Sequence, residues 1–178
     1  MLKALLIIAA VLVVAVGAVL AYAATKPDTF TVQRNASIKA PPEKIFPLIN
    51  DFHSWTRWSP YEKLDPELKR TYSGAPSGKG AIYAWQGNNK VGAGRMEILD
   101  APAPSRVNIK LDFFRPFEAS NTAEFTLQPQ DDATSVTWTM RGRNIFIGKV
   151  MSIFINMDAM VGKDFETGLA NLKAATET

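Results

Sequence analysis

From residue 29 onward the chain alternates. Phe30, Val32, Ala36 and Ile38 share one parity and Thr31, Gln33, Asn35, Ser37 and Lys39 the other, the period of two that marks a strand with one buried face. Arg34 carries the parity of the apolar set. An unpaired guanidinium on a buried face is costly, so Arg34 is expected to snorkel to an edge, with a partner carboxylate or a ligand's acidic head as alternatives. Ala40-Pro41-Pro42-Glu43 then turns the chain into a short helix, because Pro is tolerated in a first turn and Glu suits its positive dipole end. Ile45, Phe46, Leu48 and Ile49 give that helix an apolar stripe, and Pro47 should kink or shorten it.

An aromatic connector over 52–61 leads to further strand-like stretches at 68–73, 81–86, 94–99, 106–114, 122–128 and 135–141. Val107, Ile109, Leu111 and Phe113 alternate, as do Ala123, Phe125 and Leu127, then Val136, Trp138 and Met140. Gly87-Asn88-Asn89 and Gln130-Asp131-Asp132 are hairpin-type turns. Seven short strands joined by such turns predict a mostly antiparallel sheet. From Phe154 the period changes: Met157, Val161, Phe165, Leu169 and Leu172 lie three or four apart, one face of a long amphipathic helix. Residues 145–155 are apolar nearly all round, for which buried packing is the expectation and a greasy exposed contact the alternative. Seven strands at about 4.8 Å make a sheet roughly 34 Å wide, whereas one helix with side chains is about 10 to 12 Å across. A twisted sheet must curl around the helix, and large side chains either fill the space between or line a pocket there.

Residues 4–24 are an uncharged run of 21, and eleven of them are Leu, Ile or Val. As a helix the run rises about 31 Å, enough for a hydrocarbon core of about 30 Å. Lys3 and Ala21-Tyr22-Ala23 also fit a cleaved signal peptide, but the run exceeds the usual h-region, so a retained transmembrane anchor over 1–24 is expected. Lys3 and the α-amine, set against Lys26 offset by Asp28, tilt the orientation toward a cytoplasmic N-terminus and a periplasmic or other extracytoplasmic body.

The remaining 154 residues carry 19 basic and 17 acidic side chains with no repeat or linker, and read as one domain over 29–175. No Cys is present and His53 is alone, which excludes disulfides, a thiolate nucleophile, Cys-ligated clusters and a multi-histidine metal site. A net charge of +3 from scattered Lys and Arg argues against a nucleic-acid partner. No cofactor or metal is called for.

His53 has only Asp51 nearby to orient it and reads as a surface or hinge residue. Trp55 and Trp58 flank Arg57 in a Pro-terminated loop, as a plug for the core or a seat for a flat ligand. Tyr83 and Trp85 share one side of their strand and offer a hydroxyl and an indole N–H to a polar head. Trp138 and Met140 should face inward, and Phe113, Phe154 and Met157 complete the candidate ligand-binding set with Arg34. Gly74, Gly78 and Gly80 read as turn residues and not as a phosphate loop. Asp164 and Glu166 cannot share a helix face and are expected to be solvated. No catalytic constellation emerges.

Three segments carry a resemblance: IKAPPEKIFPLINDFHSWTRWSPY (38–61), YSGAPSGKGAIYAWQGNNKVGAGRMEIL (72–99) and MVGKDFETGLANLK (160–173). Together they resemble the polyketide cyclase/dehydrase-type branch of the START-like, or SRPBCC, superfamily, over residues 29 to 175. The resemblance implies an α+β helix-grip fold: a seven-stranded curved antiparallel sheet, two short helices after the first strand, and a long C-terminal helix over a hydrophobic cavity. The first expectation for function is thus a membrane-tethered domain that binds a hydrophobic small molecule or lipid between sheet and helix. A polyketide cyclase/dehydrase-like enzyme, in which Arg34, Tyr83 or Asn50 would assist, is the second, and an interaction domain with a collapsed pocket the third.

Overall fold

A computed structural model describes residues 1–177. Helix α1 (Leu2–Ala24) precedes β1 (Thr29–Ile38), α2 (Pro42–Asn50) and two 3₁₀ turns (Phe52–Arg57 and Pro60–Lys63). Strands β2 (Lys69–Gly74), β3 (Ala81–Gln86), β4 (Ala93–Asp100), β5 (Arg106–Arg115), β6 (Ala119–Gln130) and β7 (Ala133–Arg143) follow. Helices α3 (Phe146–Phe154) and α4 (Met157–Glu177) complete the described chain.

The seven strands form one antiparallel sheet in the order β1-β7-β6-β5-β4-β3-β2. This is the helix-grip fold. Consecutive strands from β2 to β7 pair through hairpins or short loops, whereas β1 and β2 occupy opposite edges, so α2 and the 3₁₀ turns carry the chain across. Gly74 ends β2 at φ +74°, and a Cβ there would strike the Gly80 carbonyl, so the tight β2–β3 turn requires glycine. The parities hold: Val32, Ile38, Tyr83, Val107, Ile109, Ala123, Phe125, Leu127, Val136, Trp138 and Met140 are buried. Helix α4 lies mainly over β1 and buries Phe165, Leu169 and Leu172.

Pairing registers gather several junctions at one end of the sheet. Thr29 faces Arg143, Asn121 faces Gly142, Phe113 faces Ala119, Ala93 faces Arg115, and Gln86 faces both Ala93 and Lys69. The exit from α1, the entry to α3 and the β3–β4 and β5–β6 hairpins therefore share that end.

Two expectations are corrected. Residues 145–155 are not core: Ile145, Phe146, Ile147, Met151, Phe154 and Ile155 are all exposed, because α3 packs against α1 and not under the sheet. Asp164 and Glu166 face opposite sides of α4, as their spacing requires, but neither is merely solvated. Asp164 turns toward Tyr61 in the sheet–helix interior, and Glu166 accepts a hydrogen bond from Arg34 Nε at 2.7 Å.

Candidate functional site

The interior beside α2 is filled by rings. Trp138 stacks on Phe165 at 3.9 Å between centroids and on Phe125 at 4.8 Å, while Trp58 meets Phe125 and Trp138 edge-on. The indole N–H groups of Trp58 and Trp55 donate to the Leu48 and Ile49 carbonyls at 2.8 and 2.9 Å. Those carbonyls lie in the last turn of α2, where no further helical N–H exists to bond them, so the two indoles cap the helix as they pack. Asn171 Nδ2 donates to the Trp58 carbonyl at 3.0 Å and ties α4 to the same corner.

Toward the end of the sheet that bears α3, packing stops. A cavity of about 230 Å³ lies between the sheet and α4. Tyr83 and Trp85 of β3, Met96 of β4, Leu111 and Phe113 of β5, Ala123 of β6, Trp138 and Met140 of β7, and Val161 and Phe165 of α4 wall it. Tyr83, Trp85 and Phe113 belong to an aromatic ladder that continues outward to Tyr72: Tyr72 to Tyr83 at 5.2 Å, Tyr83 to Trp85 at 6.0 Å, and Trp85 to Phe113 at 5.8 Å. The Trp85 indole donates to the Val91 carbonyl at 3.0 Å, closing the β3–β4 hairpin over one rim.

Few polar groups reach this wall, and most are already engaged. Glu62, on the second 3₁₀ turn, is buried; Tyr83 Oη donates to its Oε1 at 2.6 Å and Arg70 Nε to its Oε2 at 2.6 Å. Burial, reinforced by the hydrogen bond to Glu62 and its charge, raises the Tyr83 phenol far above its ordinary range. Burial also raises Tyr61, helped by the charge of Asp164 and a hydrogen bond to it. Both phenols are therefore neutral donors. The Trp138 indole N–H is buried with no hydrogen-bond partner among the described residues.

Of the ten candidates read from sequence, Trp55, Tyr83, Trp85, Phe113, Trp138 and Met140 border the cavity. Trp58 lies behind them, fully buried in the plug. Phe154 and Met157 are on the surface, at 74% and 44% exposure, because α4 begins at Met157 and its inward face starts only at Val161. Arg34 lies on edge strand β1 and clasps the chain's own acids, Asp158 at 3.1 Å and Glu166 at 2.7 Å, which raises its pKa. Its guanidinium fills the space above Gly162, where any Cβ would collide with it. His53 is on the surface, bonded through Nδ1 to Asp51 at 2.8 Å and stacked on Tyr72. Glu62 and Tyr61 carry no mark in the sequence, and Asp164, expected to be solvated, borders the cavity instead. The three-residue spacing of Asp164 from Val161 on α4 is the one signal in the sequence for that placement.

These features define a sheet–helix binding fold, and the chain belongs to the family described as polyketide cyclase / dehydrase and lipid transport, whose model matches residues 29–177. It is accordingly a member of the SRPBCC-like superfamily. The di-domain ARO/CYC BexL from the BE-7585A biosynthetic pathway is similar at TM-score 0.63 and 13% identity, covering 88% of this chain and 53% of that one. Protein CV1439 from Chromobacterium violaceum gives TM-score 0.60 and 14% identity, with 86% and 99% covered. Major latex-like protein 151 from Panax ginseng gives 0.60 and 12%, with 84% and 99% covered. At these identities the likeness establishes the fold alone. Comparison with curated proteins gives no match. Helix α1 is long and apolar enough to cross a membrane, a property shared by anchors and signal sequences.

Proposed function

We propose that this protein is a membrane-tethered binding domain that holds a small, mainly apolar molecule between its sheet and α4. Residues 1–24 serve as the retained anchor, and the 29–175 body lies on the extracytoplasmic side. The observation that carries this reading is the aromatic-walled cavity of about 230 Å³. That volume exceeds the roughly 150 Å³ of an apolar cavity known to admit benzene, and falls below the roughly 300–1,000 Å³ usual for drug-sized ligands. The occupant is thus one or two rings, or part of an acyl chain, and not a whole phospholipid. Trp55, Tyr83, Trp85, Phe113, Trp138 and Met140 supply its contact surface, and the unpaired Trp138 N–H offers a donor to one acceptor atom. Family membership supports a ligand of this kind.

Native mass spectrometry of the full chain in nanodiscs, with solvent extraction of what it carries, tests the reading. The wild type is expected to retain an apolar molecule, and Ala123→Phe, which fills the cavity from β6, to lose it. A wild type that repeatedly purifies empty and takes up no apolar fluorophore defeats the proposal.

One observation favours a second reading, a cyclase-like enzyme. Tyr83 and buried Glu62 place a hydrogen-bonded phenol–carboxylate pair, the elements of an acid–base couple, in a mainly apolar wall. The limited volume weighs against a long poly-β-keto substrate. Turnover of such a substrate, abolished in Tyr83→Phe, would reverse the order of the two readings.

A further inference from the structure

Helix α3 is turned inside out. A helix of a water-soluble body buries its apolar face and exposes its cations. Here Phe146, Ile147, Met151 and Phe154 are exposed, while the one cation, Lys149, is buried at 9% exposure. Lys149 Nζ reaches Asp28 Oδ1 at 2.6 Å, holding that carboxyl below its ordinary pKa by hydrogen bond and charge. Ile145 and Ile155 flank the helix and are exposed too. So continuous an apolar surface marks a contact with something apolar.

Its position names the occupant. Asp28 belongs to the link between α1 and β1, and that link is bonded to the α3 entry at two further points. Asn144 N donates to the Asp28 carbonyl at 2.7 Å, and Asn144 Nδ2 to the Pro27 carbonyl at 3.3 Å. Helix α3 also packs against α1 itself, in which Ala23 is the buried residue. The apolar face is therefore continuous with the apolar span. Thr29 follows Ala24 by five Cα steps, so this end of the sheet stays within roughly 18 Å of the point where α1 ends. Exposed Phe114 and Phe117 on the β5–β6 hairpin share the end, with Arg115 and Arg143 beside them for lipid headgroups. The cavity lies toward it as well, bordered by Lys90, Val91 and Phe113.

We propose that α3 lies in the membrane interface beside α1, its apolar face in the acyl boundary, and that this holds the cavity-bearing end of the sheet against the bilayer. A hydrophobic ligand then exchanges with the acyl layer without crossing water. The proposal rests on the reading of α1 as a retained anchor.

The chain has no Cys, so single cysteines can be labelled cleanly. Phe154→Cys and Ile147→Cys carry an environment-sensitive fluorophore in full-length protein, reconstituted in phosphatidylcholine vesicles with a minority of phosphatidylglycerol. Asp132→Cys, on the β6–β7 turn at the other end of the sheet, is the control. The 147 and 154 labels are expected to be quenched by spin-labelled acyl chains and protected severalfold from iodide relative to 132. Iodide quenching at 154 equal to that at 132 overturns the proposal. So does protection at 154 that disappears on diluting the protein into excess lipid, which would make a second copy or another protein the occupant. Intact mass reads retention of residues 1–24 and solvent extraction reads the cavity, so anchor, ligand and α3 placement each fail on a separate measurement.

Discussion

The sheet and α4 enclose one interior with two unlike halves. Beside α2, Trp55, Trp58, Phe125, Trp138 and Phe165 interlock, and both α2-capping indoles are bonded. Beside α3, the rings of Tyr83, Trp85 and Phe113 stand against open space. Trp55, Trp138 and Phe165 border that space as well, so the presence of rings does not by itself decide whether such an interior closes. What differs is the lid. The closed half has α2 and the first 3₁₀ turn drawn over it, while the second reaches the cavity wall through Tyr61 and Glu62; the helix at the other end is tied outward to the α1 link by Lys149 and Asn144.

The sharpest way to break this contrast is to remove one ring from each half. Trp58→Ala empties a fully buried site and strips a donor from α2, so a loss of about 3–5 kcal/mol is expected. Trp85→Ala removes a ring that already borders a void and should cost about 1–3 kcal/mol while enlarging the ligand volume. Chemical denaturation in nanodiscs reads both. Equal losses would mean that the halves are energetically alike and that the cavity is a packing fault.

Most of the fold is legible in the sequence because its signals are local. The parity of β1, the Pro-Pro-Glu entry to α2 and the three-four spacing through Val161, Phe165, Leu169 and Leu172 each need only neighbouring residues. Tyr83, Trp85, Trp138 and Met140 were readable as inward-facing for the same reason. Glu62 was not, since its meaning comes from Tyr83 and Arg70, which lie 21 and 8 residues away. The exposure of the α3 face is not legible in the same way, because an apolar stretch implies removal from water without saying what removes it.

The next effect concerns that hidden acid. Glu62→Gln keeps the volume but leaves Arg70 without a countercharge, and Arg70 is only 29% exposed. A loss of about 1–3 kcal/mol is expected, and Tyr83→Phe, which removes one hydrogen bond and leaves the Glu62–Arg70 pair intact, should cost about 1 kcal/mol. If Tyr83→Phe proves the costlier, the phenol and not the ion pair organises the open half.

The tyrosines give a smaller, spectroscopic test. Tyr61, Tyr72 and Tyr83 are all raised above the ordinary value of 10, chiefly by burial. Absorbance at the tyrosinate band should therefore rise by much less than four phenols' worth as pH passes 10, the rest appearing only on unfolding. The sign for stability follows: above pH 10 the unfolded chain gives up these protons and the folded chain does not, so stability falls as pH rises. A full four-phenol step in the folded protein would mean that the cavity wall is wet.

The smallest effect sharpens the comparison from outside the cavity. Arg34 pins α4 to β1, opposite Trp138 in register, through Asp158 and Glu166. The hydrogen bond from Arg34 lowers the Asp158 pKa from its ordinary 3.8, so the contribution of this pair is present above that pH and is lost as pH falls through the lowered value. Asp158→Asn should flatten the acid limb of thermal stability while changing little at neutral pH, because Asp158 is 57% exposed and Glu166 still holds Arg34. Ligand retention should be unaltered, since the clasp joins α4 to edge strand β1 and none of its three residues borders the cavity. If retention falls with the acid limb, the position of α4 over β1 sets the width of the open half, and the two halves are mechanically one.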